Sequence, residues 1–447
     1  MQGAGKAMKG LTMSDTALLY RTLSVCAECL RVVEAQLISR NGAVFFRKNC
    51  VEHGTSDVMA WPDADHFRWM NSFSSPINRP KASASQEFGC PRDCGLCARH
   101  LQKPRSVEIE VTRGCNLSCP VCSMAVDEVE CDPTSDALKK MYSEIREQAG
   151  TTPTIELTGG EPTLRPDLPE IVQMGLQAGF KNINVSTNGI VIARDFDYLL
   201  CLKESGLTGI RLQFDGLTAS VYQQIRGADL LAAKCQAIEN CGRAGLRVVL
   251  AVTVFEDSNL NQLGDIVRYA MAHLDVVVEL ALQPGFIPGS SKTGESKRFS
   301  MGDIILALAD QSRDLLGPYD FLPQGCSHPL CSAGTFLLSN PNGFVPVTRN
   351  ISPEKYETAF HQTIPQASVF RDIVAKQAGA DAKGLWLTIS NPMDIQTVEL
   401  DRLRRCSKVV AALDGRIMPV CSYRLTGCQG HRIHPLVDMH RESTNAT

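Results

Sequence analysis

From residue 106 onward, short β-rich runs alternate with helical stretches, and this alternation constrains the fold more than any other feature. The runs are SVEIEVT (106–112), TIELT (154–158), NINVST (182–187), GIRLQF (209–214), RVVLAVTV (247–254) and VVVELALQP (276–284). Helical texture lies between them, at 134–149, 167–179 and 260–274, with Asp167 and Thr218 placed to cap two helices. Near-continuous apolar strands separated by helices indicate parallel βα units. Six units predict an α/β fold, a partial (β/α)6 barrel, with its active site at the C-terminal ends of the strands.

At 447 residues the chain is too long for one ordinary core. Residues 1–14 read as a disordered, frayed end. Residues 15–105 form a cysteine-rich N-terminal region, with a hairpin expected where Asn41-Gly42 separates VVEAQLISR from AVFFRK. The barrel should span 106–315. Residues 316–432 are expected to form a separate cap or auxiliary domain, with hairpin turns at Pro341-Asn342-Gly343 and Asp414-Gly415, and 433–447 a loose tail. The net charge of -3 argues against a nucleic-acid partner. With no secretory signal and no run of about 18 apolar residues, a cytoplasmic location is expected, and peripheral membrane contact is left open.

The chain has 18 cysteines. Tight groups in a long chain suit metal centres better than disulfides. Cys115-x3-Cys119-x2-Cys122 directly follows the first strand, and three thiolates can hold three irons of a cubane while leaving the fourth open to substrate. The rival is a structural cluster whose fourth cysteine lies elsewhere. The next strand runs into Gly159-Gly160-Glu161-Pro162, and later ones end in Ser186-Thr187-Asn188-Gly189 and Gln213-Phe214-Asp215-Gly216. These make a small polar set at one barrel end. Cys90-x3-Cys94-x2-Cys97 repeats the spacing and reads as a second cubane or a zinc site, with Cys131 an unsupported fourth ligand. Cys26-x2-Cys29 and Cys50-x2-His53 offer four ligands for a mononuclear zinc or iron of structural role. Cys326-x4-Cys331 with Cys406 and Cys421 could complete another cubane, with Cys428 a rival for Cys421. Cys201, Cys235 and Cys241 are expected as buried helical thiols.

The cysteine triad and Gly159-Gly160-Glu161-Pro162 resemble the radical S-adenosylmethionine (radical SAM) superfamily over about 106–300. The resemblance implies that the open iron of a [4Fe-4S] cluster chelates SAM. One electron then yields methionine and a 5'-deoxyadenosyl radical, which takes hydrogen from an unactivated carbon. The segment 159–162 would bind the SAM amino group, with Ser186 and Asn188 near the ribose or carboxylate and Asp215 a further cofactor contact. A ferredoxin, flavodoxin or reductase would supply electrons. The whole layout, over about 22–428, is similar to the tetraether lipid synthase and pterin C-methylating branch. That branch implies one or two auxiliary [4Fe-4S] clusters, a mononuclear site and C–C bond formation on a lipid or small-molecule substrate.

Coupling of lipid alkyl chains is the leading expectation, and C-methylation of a pterin or other small molecule is the alternative. A peptide-modifying enzyme fits the chemistry but not this cysteine layout. A plain electron carrier would need neither a vacant iron nor the Gly-Gly-Glu-Pro loop.

Overall fold

The structure is a computed structural model that describes residues 16–74, 77–84, 87, 89–122, 132–285, 298–324, 328–356, 383–428 and 431–434. The expected frayed end at 1–14 and all but Ile433 and His434 of the tail expected at 433–447 lie outside the described residues. Among those described, no helix is long and apolar enough to cross a membrane.

The N-terminal region is a four-stranded antiparallel meander of β1 (Thr16–Val25), β2 (Val32–Arg40), β3 (Ala43–Cys50) and β4 (Gly54–Trp61). Asn41 and Gly42, at φ 52° and 78°, make the turn between β2 and β3, as Asn-Gly predicts. The two other turns, β1 to β2 and β3 to β4, lie at the opposite end of the sheet, and they carry Cys26, Cys29, Cys50 and His53.

The six parallel strands match the sequence reading closely. They are β5 (Ser106–Thr112), β6 (Thr154–Gly159), β7 (Ile183–Thr187), β8 (Gly209–Gln213), β9 (Arg247–Val254) and β10 (Val277–Pro284), side by side in chain order. Helices Ser135–Ala149, Leu168–Gln177 and Leu263–Ala272 fill the predicted intervals. Asp167 and Thr218 stand at helix N-caps, but neither side chain caps. Asp167 is instead drawn into an ion pair with Arg165 at 2.6 Å, and Thr218 Oγ1 accepts from Gln262 at 3.1 Å.

The segment after 316, expected as a cap of its own, shares this sheet. β14 (Gly384–Ser390) pairs in parallel with β10, and β12 (Ser332–Asn340) and β11 (Leu322–Pro323) follow it antiparallel. At the other edge β15 (Lys408–Ala411) pairs in parallel with β5, and β16 (Ile417–Pro419) turns back on it. Both predicted hairpins are present, the first between β12 and β13 (Gly343–Pro346) and the second between β15 and β16. The sheet runs from β11 to β16 without closing, which makes it a partial barrel.

The strands are less uniformly apolar than their runs suggest. Val107, Ile109 and Val111 of β5 and Ile155 and Leu157 of β6 join the core shared with the helices. Alternate residues on the other face are Glu108, Glu110, Glu156, Ser186, Arg211, Gln213 and Glu279. The charges on β5 are paired with the C-terminal segment. Glu108 meets Lys408 at 2.8 Å and Arg424 at 2.6 Å, and Tyr423 Oη donates to Glu110 at 3.0 Å. The N-terminal meander is tied in by Lys48, whose buried Nζ donates to Val25 O at 3.0 Å and Ile395 O at 2.5 Å.

Burial pushes the Glu108 carboxyl up, but Arg424 and Lys408 outweigh it and hold it at about 2, below an ordinary 4.5. A depressed pKa stabilises the fold above pH 4.5, and that stability is lost as pH falls toward 2, by roughly 3 kcal/mol. The denaturant midpoint of the apo-protein is expected to fall through this window. In Arg424→Met it should start lower and fall less steeply, and parallel pH profiles would contradict the pairing.

Candidate active site and metal centres

The loop leaving β5 carries Cys115, Cys119 and Cys122 at the C-terminal end of the sheet. Burial pushes the Cys115 thiol up, the Leu117 amide opposes this, and the charges of Glu161, Cys119 and Cys122 add to it. The three thiols and Glu161 therefore occupy one site. Asp132 holds the base of the loop, accepting from Thr112 Oγ1 at 2.9 Å and the Arg113 amide at 2.8 Å.

The Gly159-Gly160-Glu161 segment lies directly against this loop. The Gly160 amide donates to Thr112 O and the Glu161 amide to Gly114 O, both at 2.8 Å. A Cβ on Gly159 would lie 2.1 Å from Thr112 O, and one on Gly160 would lie 2.1 Å from Gly114 O. Both positions therefore require glycine for backbone-to-backbone approach, where the sequence suggested only approach to a ligand.

Glu161 is buried, and its carboxylate accepts four hydrogen bonds. They come from Thr163 N (3.1 Å), Thr163 Oγ1 (2.6 Å), Thr187 Oγ1 (2.7 Å) and Asn188 N (2.6 Å). Pro162 then opens a short 3-10 turn, Pro162–Leu164. Asn188 Nδ2 reaches forward to Asn116 Oδ1 at 2.7 Å, inside the cysteine loop. Ser186 Oγ donates to Glu156 Oε1 at 2.5 Å. Asp215 is fully buried against Arg226, at 2.7 and 3.0 Å, and accepts the Thr253 amide at 3.1 Å. The expected cofactor contacts thus come together, with the side-chain oxygens of Glu161, Ser186 and Asp215 engaged inside the protein.

Two cations at this site escaped the sequence reading. Arg226 ends the helix Ala219–Arg226, hydrogen-bonds Asp215 and brings its charge near Cys119. Burial opposes its charge, but Asp215 and Cys119 outweigh that and keep the guanidinium ionised. Lys234 is wholly buried, and its Nζ donates to Asn188 O and, at 2.8 Å, to Gln213 Oε1. Burial pulls it down to about 8 against the upward pull of Asp215. Neither residue stands in a motif, and only the fold brings them to the cysteines.

The other cysteine groups also assemble. Burial pushes Cys94 up to about 12, Ser422 opposes this through a hydrogen bond, and Cys90 and Cys97 add to it. Cys131 lies outside the described residues, as does Cys326. Cys406 is raised first by burial, then by Cys421 and Cys331, so these three thiols share a site. Cys428 is not beside them. Its Sγ lies 3.6 Å from Glu28 Oε2, near Cys26. Cys241 is buried as expected, whereas Cys201 and Cys235 are exposed.

At the N-terminal turns the ligand atoms of Cys26, Cys29, Cys50 and His53 all lie within 4.8 Å of one another. The Cys29–Cys50 Sγ separation is 3.8 Å, and His53 Nδ1 lies 3.6 and 3.5 Å from Cys26 and Cys50. A tetrahedral ion with metal–sulfur bonds of about 2.3 Å has ligand edges of about 3.8 Å, so the four donors fit one.

This parallel sheet, with three cysteines on the loop after its first strand and a glycine pair against them, defines an iron–sulfur enzyme class. The sequence model of the radical SAM superfamily matches residues 109–270, and the chain belongs to that superfamily. A second family model, the HMPTM N-terminal zinc ribbon domain, matches residues 18–62. The chain is 30% identical to a 7,8-dihydro-6-hydroxymethylpterin dimethyltransferase of Methanocaldococcus jannaschii, over 90% of this chain and 93% of that protein. A GTP 3',8-cyclase of Synechocystis is 30% identical over 41% of this chain and 56% of its own. Among solved structures, Streptococcus suis SuiB bound to its precursor peptide SuiA is 16% identical, with a TM-score of 0.39 over 48% of this chain and 46% of that one.

Two outcomes are expected. Glu161→Gln should weaken SAM binding about tenfold in an equilibrium titration, since the amide cannot accept all four bonds, with iron content unchanged. Unaltered affinity would mean that the carboxylate does not hold the site. Cys50→Ala should release the metal of the N-terminal turns and lower the melting temperature, and a variant of parental metal content would contradict a four-ligand site.

Proposed function

We propose that this radical SAM enzyme methylates a carbon of a small polar heterocycle of the pterin class. The observation that carries this reading is the inner face of the sheet. Glu156, Arg211, Gln213, Thr253 and Glu279 line it, and Thr388 Oγ1 donates to Glu279 Oε1 at 2.6 Å. Carboxylates and a guanidinium suit a substrate with N–H and carbonyl groups on its edge. A long alkyl chain would desolvate those charges without pairing them. Coupling of lipid chains is therefore the less favoured reading. The full-length relative's name points to a pterin as well.

In this reading Cys115, Cys119 and Cys122 hold the SAM-binding [4Fe-4S] cluster. When bound, cluster and SAM supply a 5'-deoxyadenosyl radical able to take hydrogen from an unactivated carbon. The protein's part is to orient and protect. The residues Gly159–Pro162, Asn188 and the Glu161 hydrogen bonds shape the SAM pocket. Arg226, held by Asp215, and the buried Lys234 bring positive charge near the thiolate of Cys119. The groups Cys90, Cys94, Cys97 and Cys326, Cys331, Cys406, Cys421 hold auxiliary clusters, and Cys26, Cys29, Cys50 and His53 a mononuclear zinc or iron. A ferredoxin- or flavodoxin-type donor in the cytoplasm suits centres that must stay reduced.

Anaerobically reconstituted protein with reductant and SAM, a second SAM serving as methyl donor, is expected to give 5'-deoxyadenosine, S-adenosylhomocysteine and a methylated product from reduced pterins, read by mass spectrometry. Glu279→Gln should lower product about tenfold or more while 5'-deoxyadenosine continues to form. Cys115→Ala should abolish 5'-deoxyadenosine and keep iron at the outlying sites. Coupled product from archaeal lipids, with none from pterins, would overturn the reading.

A further inference from the structure

One short segment, residues 391–399, is hydrogen-bonded to two metal centres at once. At its start, the Asn391 amide donates to Cys331 O at 2.8 Å, and Asn391 Nδ2 donates to Leu330 O at 3.0 Å. Two residues on, the Met393 amide donates to Cys421 Sγ at 3.5 Å. Pairing of Val409 with Pro419 between β15 and β16 places Cys406 and Cys421 at the open end of that hairpin.

Further along, the same segment is held by the N-terminal meander. Lys48 Nζ donates to Ile395 O at 2.5 Å and to Val25 O at 3.0 Å, and Ser24 Oγ donates to Val398 O at 2.5 Å. Both side chains are buried, and each stands two residues before a ligand of the N-terminal metal site, Cys50 and Cys26. Between these contacts the segment is braced from within. Asp394 Oδ1 accepts from Gln396 N, Thr397 N and Thr397 Oγ1, each at 3.0 Å, and Met393 Sδ accepts the Glu399 amide at 3.3 Å. Val25 and Ala27, on either side of Cys26, share an apolar cluster with Met393, Ile395 and Val398, and Leu30 and Cys421 pack against it.

We infer that the ion at Cys26, Cys29, Cys50 and His53 sets the reduction potential of the cluster at Cys331, Cys406 and Cys421 through this segment, which rests on the auxiliary cluster proposed above. An N–H aimed at a ligand sulfur favours the more negative, reduced cluster and so raises its potential. The apolar surroundings screen that dipole weakly. Without the ion, the two turns lose the bonds that fix them. Ser24 and Lys48 then no longer fix Val398 and Ile395, and the Met393 amide loses its aim at Cys421.

A redox titration of the reconstituted protein, followed by electron paramagnetic resonance, tests this. A Cys94→Ala, Cys115→Ala background leaves the C-terminal cluster as the remaining [4Fe-4S] signal. Cys50→Ala and Lys48→Met are each expected to disfavour its reduction about tenfold, a midpoint lower by about 59 mV. Ser24→Ala, which changes no charge, should lower the midpoint in the same direction by less. A midpoint unmoved in both Lys48→Met and Ser24→Ala, or unmoved when Cys50→Ala has lost its ion, would overturn the coupling. Iron content that does not fall in Cys421→Ala would instead overturn the auxiliary cluster itself, so the two failures are distinguishable.

Discussion

The carboxylate of Glu161 is the point on which the active end of the sheet depends. It is buried and accepts four hydrogen bonds, two from its own turn and two from the residues that end β7. Its own amide donates to the loop that carries Cys115. One side chain thus joins the exits of three consecutive strands, β5, β6 and β7. A buried acceptor held by three bonds on Oε1 and one on Oε2 has few low-energy arrangements, and its neighbours inherit that order. Asp215 does the same further along by fixing Arg226, whose charge lies near Cys119.

Much of the architecture was legible in the chain because its strands and turns declare themselves locally. The six parallel runs and the Asn41-Gly42 hairpin follow from apolar pattern and turn chemistry alone. The edges of the sheet were not legible. β14 and β15 come from distant sequence, and nothing local tells a strand which edge it will join. The charged inner face was written in SVEIEVT as Glu108 and Glu110, but the apolar half of that run dominated the reading. Only the pairing with Lys408 and Arg424 explains how such charges are tolerated.

The candidate site divides in the same way. Cysteine spacing points to the Cys90–Cys97 and Cys115–Cys122 groups, because ligands three and four residues apart sit on one loop, whereas Cys331, Cys406 and Cys421 approach one another from distant sequence. The supporting residues carry no such mark. Arg226, Lys234 and Asp132 act across gaps in sequence, and Lys234 alone would read as an ordinary helical surface lysine. Ser186 and Asp215 were expected as cofactor contacts, and in the fold Ser186 Oγ turns to Glu156 and Asp215 is buried under Arg226. Polar residues at strand ends show where a site lies, and tertiary pairing decides which of their atoms face the ligand.

The most direct measurement is the paramagnetic resonance of the reduced, reconstituted protein with and without SAM. The account requires that SAM shift the spectrum of one cluster, that the shifted signal be absent in Cys115→Ala, and that SAM carrying a 15N amino group add a nitrogen coupling to it. A spectrum indifferent to SAM, or the same response in Cys115→Ala, would contradict an iron corner left open by Cys115, Cys119 and Cys122.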